Sequence, residues 1–473
     1  MVGGSVLIVV GGGLRNARSE PEYSARDSSA VLKLDGLGKV CHLAALALLC
    51  QCSPRSTSLW TAGHAGEETS AGGVADVEAG GNSSASGGAG AVSHGGKPSG
   101  PAGQPATGTD GGVESADSAG SGSGGGTTAP PPFMLGADIS SVQEASDAGA
   151  TFVDTDGETK DLLEILANHG FNYVRLRAFV DPGALYGYAN PNGQAQFVKA
   201  ESYCDTEHTL KLARQVKAAG MGFLLDLHYS DNWADPGKQV IPSAWRSVAS
   251  ITELATRVEE YTKDVVQTLV DGGARPDMVQ IGNEITPGLL IQVPSADPQA
   301  DQWGNMNKLT NTVNGSVSNF NNVATLLKAG VSGIHAVDPS IKTMLHIENT
   351  KSFPAVRDWV NQVRSRGVKL DVLGLSCYTS YQGSPAIWED TFEQLAKNLN
   401  DISFVIAEYN PERTRANEIM QALPNGRGLG TFFWEPTQSG SWGNALFAIA
   451  GSSYVADADA FEEFDALKIS LGL

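Results

Sequence analysis

From about residue 133 onward, short apolar runs alternate with longer stretches patterned at helical spacing. The runs are FMLGAD (133–138), NYVRLRAF (172–179), GFLLDLH (222–228), MVQIGNE (278–284), TMLHIE (343–348), DVLGLSCY (371–378), SFVIAEY (403–409) and LGTFFWE (429–435). Each has strand length and is nearly continuous in apolar residues, the pattern of a strand buried on both faces. Between them, DLLEILANHG sets Leu162, Leu163, Ile165 and Leu166 on one side and stops at Gly170, and HTLKLARQVKAAG repeats the device, stopping at Gly220. VATLLKAGVSGIHAV (323–337) and FPAVRDWVNQVRSRG (353–367) are further helical candidates. Strands alternating with helices predict an α/β fold with a parallel sheet covered by helices. Eight such units between residues 133 and 473 predict a (β/α)8 TIM barrel with some long loops. A doubly wound open sheet is the structural alternative; a Gly-rich phosphate loop after the first strand would favour it, and GADISSVQ is not one.

Upstream the pattern stops. Residues 63–131 hold no Leu, Ile, Met, Phe, Tyr, Trp or Cys and are dominated by Gly, Ala and Ser. Such a segment has too little apolar surface to offset the entropy of ordering it, so a disordered linker is expected there. Residues 1–62 form an N-terminal region whose informative stretch is GKVCHLAALALLCQC (38–52). Lys33 and Lys39 precede a short apolar run that ends at Cys50, the layout of an export signal. A cysteine straight after the apolar core also suggests a lipoprotein, although Leu49 and Gln51 stand where a small residue is expected. The expected location is therefore secreted or cell-surface, with residues 133–473 as the catalytic domain; a chance apolar patch in a disordered N-terminus is the bland alternative. The signal lies far from Met1, as it would if the true start were downstream.

Charge narrows the partners. The chain carries 52 acidic and 32 basic residues, a formal net charge of −20. Nucleic acid and anionic membrane surfaces both require a basic face, so neither is an expected partner. No apolar run reaches the roughly 18 residues of a membrane span. Of five cysteines, only Cys204 and Cys377 fall in the globular part, so no disulfide framework is implied.

In a barrel of this kind, active residues collect at the C-terminal ends of the strands. The eight runs end in Asp138; Arg175 and Arg177; Asp226 and His228; Asn283 and Glu284; His346 and Glu348; Tyr378; Glu408; and Trp434 and Glu435. Glu284 and Glu408 end the fourth and seventh strands, which lie across the opening from one another. Two facing carboxyl groups with aromatic side chains nearby are the equipment of glycoside hydrolysis. One must carry a proton for the leaving oxygen and the other must be ionised to attack the sugar carbon. Arg175 would keep Glu408 charged, and Tyr378 would donate a hydrogen bond to the same carboxylate. Trp434 offers an apolar face for the sugar ring, and Trp233, Trp245, Trp303 and Trp442 could extend a cleft, although the outer tryptophans other than Trp233 read more simply as packed. Asp226 and Arg177 read more simply as supports for their neighbours. His228 and His346 lack a third ligand at a recognisable spacing, so no catalytic metal is expected.

The segments GADISSVQEASDAGATFVDTDG, DLLEILANHGFNYVRLR, GMGFLLDLHYSDNWADPGKQ, IGNEITPGLL and LGTFFWEP together resemble the endo-β-1,4-galactanases of glycoside hydrolase family 53, over most of residues 133–437. The resemblance implies a secreted, endo-acting, retaining enzyme that cuts β-1,4-galactan, the side chain of pectin. It also implies that Glu284 is the acid/base and Glu408 the nucleophile. Asn283 would hold the sugar 2-hydroxyl, and Arg175, His228, Tyr378 and Trp434 would line that subsite. Trp233, His346 and Glu348 are further candidate substrate contacts. Two departures stand out. The stretch after Glu408 is short, without the long loop that holds calcium in bacterial relatives, so no cofactor is expected. HIENT replaces an expected Asp followed by Asn-Gly, making Glu348 one methylene longer. A monomer is expected. The alternatives are a related enzyme acting on β-mannan or β-glucan, a non-catalytic carbohydrate-binding barrel, and a surface-displayed interaction protein.

Overall fold

The structure, a computed structural model, describes residues 132–190, 202–293, 309–437 and 445–473. The expectations for the export signal and linker, and those for Trp303 and Trp442, lie outside the described residues. Eight parallel strands close into a barrel: β1 (Met134–Asp138), β2 (Tyr173–Ala178), β3 (Gly222–Leu227), β4 (Met278–Ile281), β5 (Lys342–Ile347), β6 (Val372–Cys377), β7 (Ser403–Tyr409) and β8 (Gly428–Trp434). A helix follows each in turn: α1 (Leu162–Asn168), α2 (Thr206–Ala218), α3 (Ile251–Asp271), α4 (Phe320–Val337), α5 (Phe353–Arg364), α6 (Pro385–Asn398), α7 (Arg413–Gln421) and α8 (Ala458–Leu471). The ring closes where β1 pairs with both β8 and β2, which sets Asp138 beside Trp434 on one side and Arg175 on the other.

Local chemistry explains the helix ends. Asp161, Asp205, Ser250, Ser352 and Asp457 are N-caps whose side chains accept from backbone N–H groups of the first turn, satisfying donors that a helix leaves orphaned. Gly170 and Gly220 lie just past α1 and α2 at φ 91° and 76°, the left-handed backbone that turns the chain back towards the next strand.

Strand alternation sorts the core into two. Outward residues such as Val174, Leu225, Val279, Leu345, Leu375 and Phe433 pack under the helices. Met134, Leu224, Met278, Met344, Val372, Val405, Ala407 and Phe432 form a separate cluster inside the barrel. Gly136 belongs to this inner layer: a Cβ there would stand 2.5 Å from the Phe432 ring, so the glycine is what lets Phe432 fill the floor. Above that floor the inward positions turn polar: Asp138, Arg175, Arg177, Asp226, Gln280 and His346 are all buried.

The sequence patterns did not disclose a four-stranded sheet outside the barrel. Phe447–Ala450 pairs with Ser453–Ala456, which lies parallel to Thr151–Val153, itself paired with Thr159–Lys160. This sheet ties the segment after β1 to the segment after β8. His169 at the end of α1 adds a clasp, its two ring nitrogens 2.9 Å from Asp154 and 2.8 Å from Asp465.

Candidate active site

Arg175 is the centre of the polar layer. It is fully buried on β2, and its guanidinium reaches four strands. Nη1 donates to Asp138 (3.0 Å), Nη2 to Asp226 (2.8 Å) and to Asn283 Oδ1 (2.8 Å), and Nε to Gln280 (3.1 Å). Nη1 also stands 2.9 Å from Glu408 Oε1. Burial opposes its charge, but the carboxylates of Asp226, Glu408 and Asp138 hold the guanidinium above its usual range.

Glu408 reaches this layer through an irregularity. Val405 and Ala407 already face the barrel interior, so simple alternation would turn the next residue away. The register between β6 and β7 shifts there, pairing Leu375 with Ile406 and then Ser376 with Glu408. That bulge re-aims the glutamate inward. Tyr378 Oη donates to its Oε2 at 3.0 Å, while Oε1 accepts no hydrogen bond among the described residues. Burial pushes the Glu408 carboxyl up, to about 7, against the pull of Arg175; Asp226 and Asp138 add to the rise, and the Tyr378 hydroxyl lowers it.

Glu284 is placed by a turn at the end of β4. Gly282 has φ 78° and Glu284 φ 47°, so a non-glycine residue sits in left-handed backbone at the mouth. Asn283 and Glu284 are thereby both brought into the site. Ser376 Oγ lies 2.6 Å from Glu284 Oε1. Burial pushes the Glu284 carboxyl well above its ordinary value, and the charge of Glu408 adds to it; a hydrogen donated by Ser376 would work against the rise, and Glu348 and Asp235 add to it.

The other residues singled out from sequence fall into three groups. Asn283 is buried against Arg175, with its amide nitrogen donating to the Ala234 carbonyl at 2.9 Å. His228 accepts from the Ala234 N–H at Nδ1 (3.0 Å) and donates from Nε2 to Asp226 (3.0 Å). His346 is fully buried, with Nδ1 2.8 Å from Asn283 Oδ1 and Nε2 2.9 Å from Ser376 Oγ. Its ring is thus engaged by protein on both nitrogens. Trp233 and Trp434 meet edge to face at 5.9 Å, with Arg177 lying 4.0 Å from the Trp233 ring centroid and Arg175 5.8 Å from that of Trp434. Glu348 stands apart from this network: it accepts from Thr286, and burial raises its carboxyl above the ordinary range. Trp245 does not extend the cleft; it is buried in the outer core against Tyr261.

Reading by strand ends alone passed over Gln280 and Ser376. Both carried a signal: each is a lone polar residue within an apolar strand, an even number of positions after an inward-facing apolar residue, Met278 for Gln280 and Val372 for Ser376. For a metal, the short stretch between β7 and α7 offers Asn410, Pro411 and Glu412. No group of three or more His, Cys, Asp or Glu among the described residues is arranged to hold one. Of the side chains in that stretch only Glu412 offers a carboxylate.

A closed parallel barrel, with carboxyl groups from two strand ends beside tryptophans at the mouth, is the architecture of a glycoside hydrolase. The sequence profile of Glycosyl hydrolase family 53 matches residues 134–418. The chain is 28% identical over 372 residues to the arabinogalactan endo-β-1,4-galactanase A of Aspergillus niger, covering 71% of this chain and 93% of that protein. Among solved structures it resembles the family 53 catalytic domain from Ignisphaera aggregans, with a TM-score of 0.59, 25% identity and coverage of 71% of this chain and 96% of that one. A fungal β-1,4-galactanase structure gives a TM-score of 0.57 at 26% identity, covering 71% and 99%. The chain belongs to glycosyl hydrolase family 53.

Proposed function

We propose that this enzyme is an endo-acting β-1,4-galactanase working by double displacement, with Glu408 as nucleophile and Glu284 as acid/base. The observation that carries the assignment of roles is the difference between the two carboxyls. Both are raised by burial, but Glu408 only to about 7, with a guanidinium 2.9 Å away and a tyrosine hydroxyl at 3.0 Å. Among the described residues Glu284 has no cation against it and it faces three carboxyl groups, so the proton shared by the pair rests on Glu284. In the first step an oxygen of Glu408 attacks the anomeric carbon while the glycosidic oxygen departs with the Glu284 proton. In the second step a water gives its proton to Glu284, attacks the same carbon and releases Glu408. Asn283, fixed by Arg175 and Ala234, would meet the sugar 2-hydroxyl, and Trp233 and Trp434 would wall the ring. His228, through Asp226, supports Arg175; His346 supports Asn283; Tyr378 steadies the nucleophile.

Galactan as substrate, in pectin side chains or type I arabinogalactan, rests on the named activities of the relatives, since a barrel alone does not fix a substrate. Export as a secreted or surface-anchored protein rests on the 38–52 segment and the linker composition. The test is to incubate the full-length protein with purified β-1,4-galactan, β-mannan and β-glucan and to measure new reducing ends. Short oligosaccharides from galactan are expected. Release from mannan or glucan with none from galactan overturns the substrate, and no release from any of them favours a non-catalytic barrel.

A further inference from the structure

The hydrogen bonds around Glu284 form a chain whose direction can be worked out from one end. The Asn283 amide is oriented unambiguously: its nitrogen donates to the Ala234 carbonyl at 2.9 Å and its oxygen accepts from Arg175 at 2.8 Å. That oxygen lies 2.8 Å from His346 Nδ1. Two acceptors do not share such a distance, so Nδ1 carries a hydrogen and donates. Gln280 Nε2 is 3.2 Å from the same nitrogen, but its two hydrogens have nearer acceptors in Asp226 Oδ1 at 2.5 Å and the Gly282 carbonyl at 3.0 Å. Burial, with Arg175 close by, pushes the His346 pKa well below its ordinary value, so the ring is neutral and Nε2 is bare. Nε2 then accepts the Ser376 hydroxyl hydrogen across 2.9 Å. Ser376 has no second hydrogen to offer, yet its oxygen lies 2.6 Å from Glu284 Oε1. The hydrogen in that contact therefore belongs to Glu284.

We propose that Ser376 and His346 are positioning residues that keep the acid's proton on Glu284, through a one-way chain from Glu284 Oε1–H to Ser376 Oγ–H to His346 Nε2, and from Nδ1–H to Asn283 Oδ1. The proposal rests on Glu284 being the acid/base. It adds a consequence for the cycle. Once Glu284 has passed its proton to the leaving oxygen, its carboxylate faces a lone pair of Ser376. Turning the hydroxyl towards Glu284 relieves this but leaves His346 Nε2 without a donor. Either arrangement is poorer than the resting one, which favours the return of a proton from the attacking water. The other groups facing Glu284 are Glu408 from β7, Glu348 after β5, Asp235 after β3 and Tyr378 after β6. Those facing His346 are Arg175 from β2, and Asp226 and His228 from β3 and its end.

The test is the pH dependence of kcat/KM on galactan for the full-length enzyme and its Ser376→Ala variant. The alkaline limb reports loss of the Glu284 proton. Removing an acceptor of that proton moves the limb to lower pH, by roughly one pH unit for one hydrogen bond. A limb that moves to higher pH would show that the serine donates to an ionised carboxylate, and this or an unmoved limb overturns the proposal. A purely structural role would change amplitude or stability and leave the limb in place. Should the variant not fold, nitrogen NMR of histidine-labelled native protein reads the tautomer directly: a protonated Nδ1 and a bare Nε2 at His346 are expected, and the reverse refutes the chain. A Glu284→Gln variant separates the two readings. If its alkaline limb persists, the acid/base assignment has failed, whatever the serine does.

Discussion

Glu408→Gln should make the folded protein more stable, and increasingly so as the pH rises. Glu408 is 5% exposed, and burial lifts its carboxyl from an ordinary 4.5 to about 7. Between those two values the folded chain holds a proton that the unfolded chain has released. The folded state binds more protons, so stability falls with rising pH across that window. Below about 4.5 both states are protonated and the group is silent; above about 7 the penalty is complete. At about 1.4 kcal/mol for each tenfold change in proton affinity, the rise from 4.5 to about 7 corresponds to roughly 3 kcal/mol. Glutamine has the same shape and no charge, and Arg175 keeps Asp138 and Asp226 as partners, so the variant escapes most of this penalty. For a barrel domain running from residue 134 to 471, that is a gain of roughly 4 °C in Tm. The assay is thermal unfolding of both proteins by circular dichroism at several values from pH 4 to pH 8. Any packing change caused by the substitution is common to all of these and cancels in the comparison. A gap in Tm that stays constant, or that narrows as pH rises, refutes the reasoning.

The two glutamates should also separate kinetically. Glu408→Ala should be nearly inactive on every substrate, with azide restoring attack from the vacated side. Glu284→Ala should fail most on galactan and least on aryl galactosides whose phenol departs without a proton. NMR during hydrolysis should show a first product of retained configuration, the outcome for retaining enzymes, whose carboxyl groups stand roughly 5–5.5 Å apart; an inverted product removes both roles. EDTA should leave turnover on galactan unchanged, because no cluster among the described residues is suited to a metal; loss restored by calcium would contradict this.

The barrel was open to reading because each strand repeats one simple fact: a run of apolar residues long enough to cross the core. All eight runs became strands within a residue or a few of their expected bounds, and the glycines that stop α1 and α2 stand where the patterns ended. Asp138, Arg175, Asn283 and Glu408 converge because strand order and register do the rest. The small sheet beside the barrel was hidden, since its strands are at most four residues long and two of them come from opposite ends of the domain. Trp245 was open to two readings, because an aromatic side chain between strands reads the same whether it lines a cleft or packs against Tyr261.

What a single strand does not carry is its pairing with the next. Alternation along β7 would set Ala407 inward and Glu408 outward, yet the glutamate is the inward group. The bulge that achieves this shows only in the pairing of β7 with its neighbours, where Ser376 comes opposite Glu408 and where Phe433 comes opposite Tyr409. Ser376, inward by the alternation of β6 from Val372, lies within reach of Glu284 and of His346 on the neighbouring β5. The register shift turns Glu408 towards Arg175, beside the Ser376 hydroxyl that touches Glu284. This is why reading carboxylates at strand ends finds the two glutamates but not what sets their protons apart. That difference depends on Arg175 from β2, His346 from β5 and Ser376 from β6, contacts made across the barrel rather than along any one stretch of sequence.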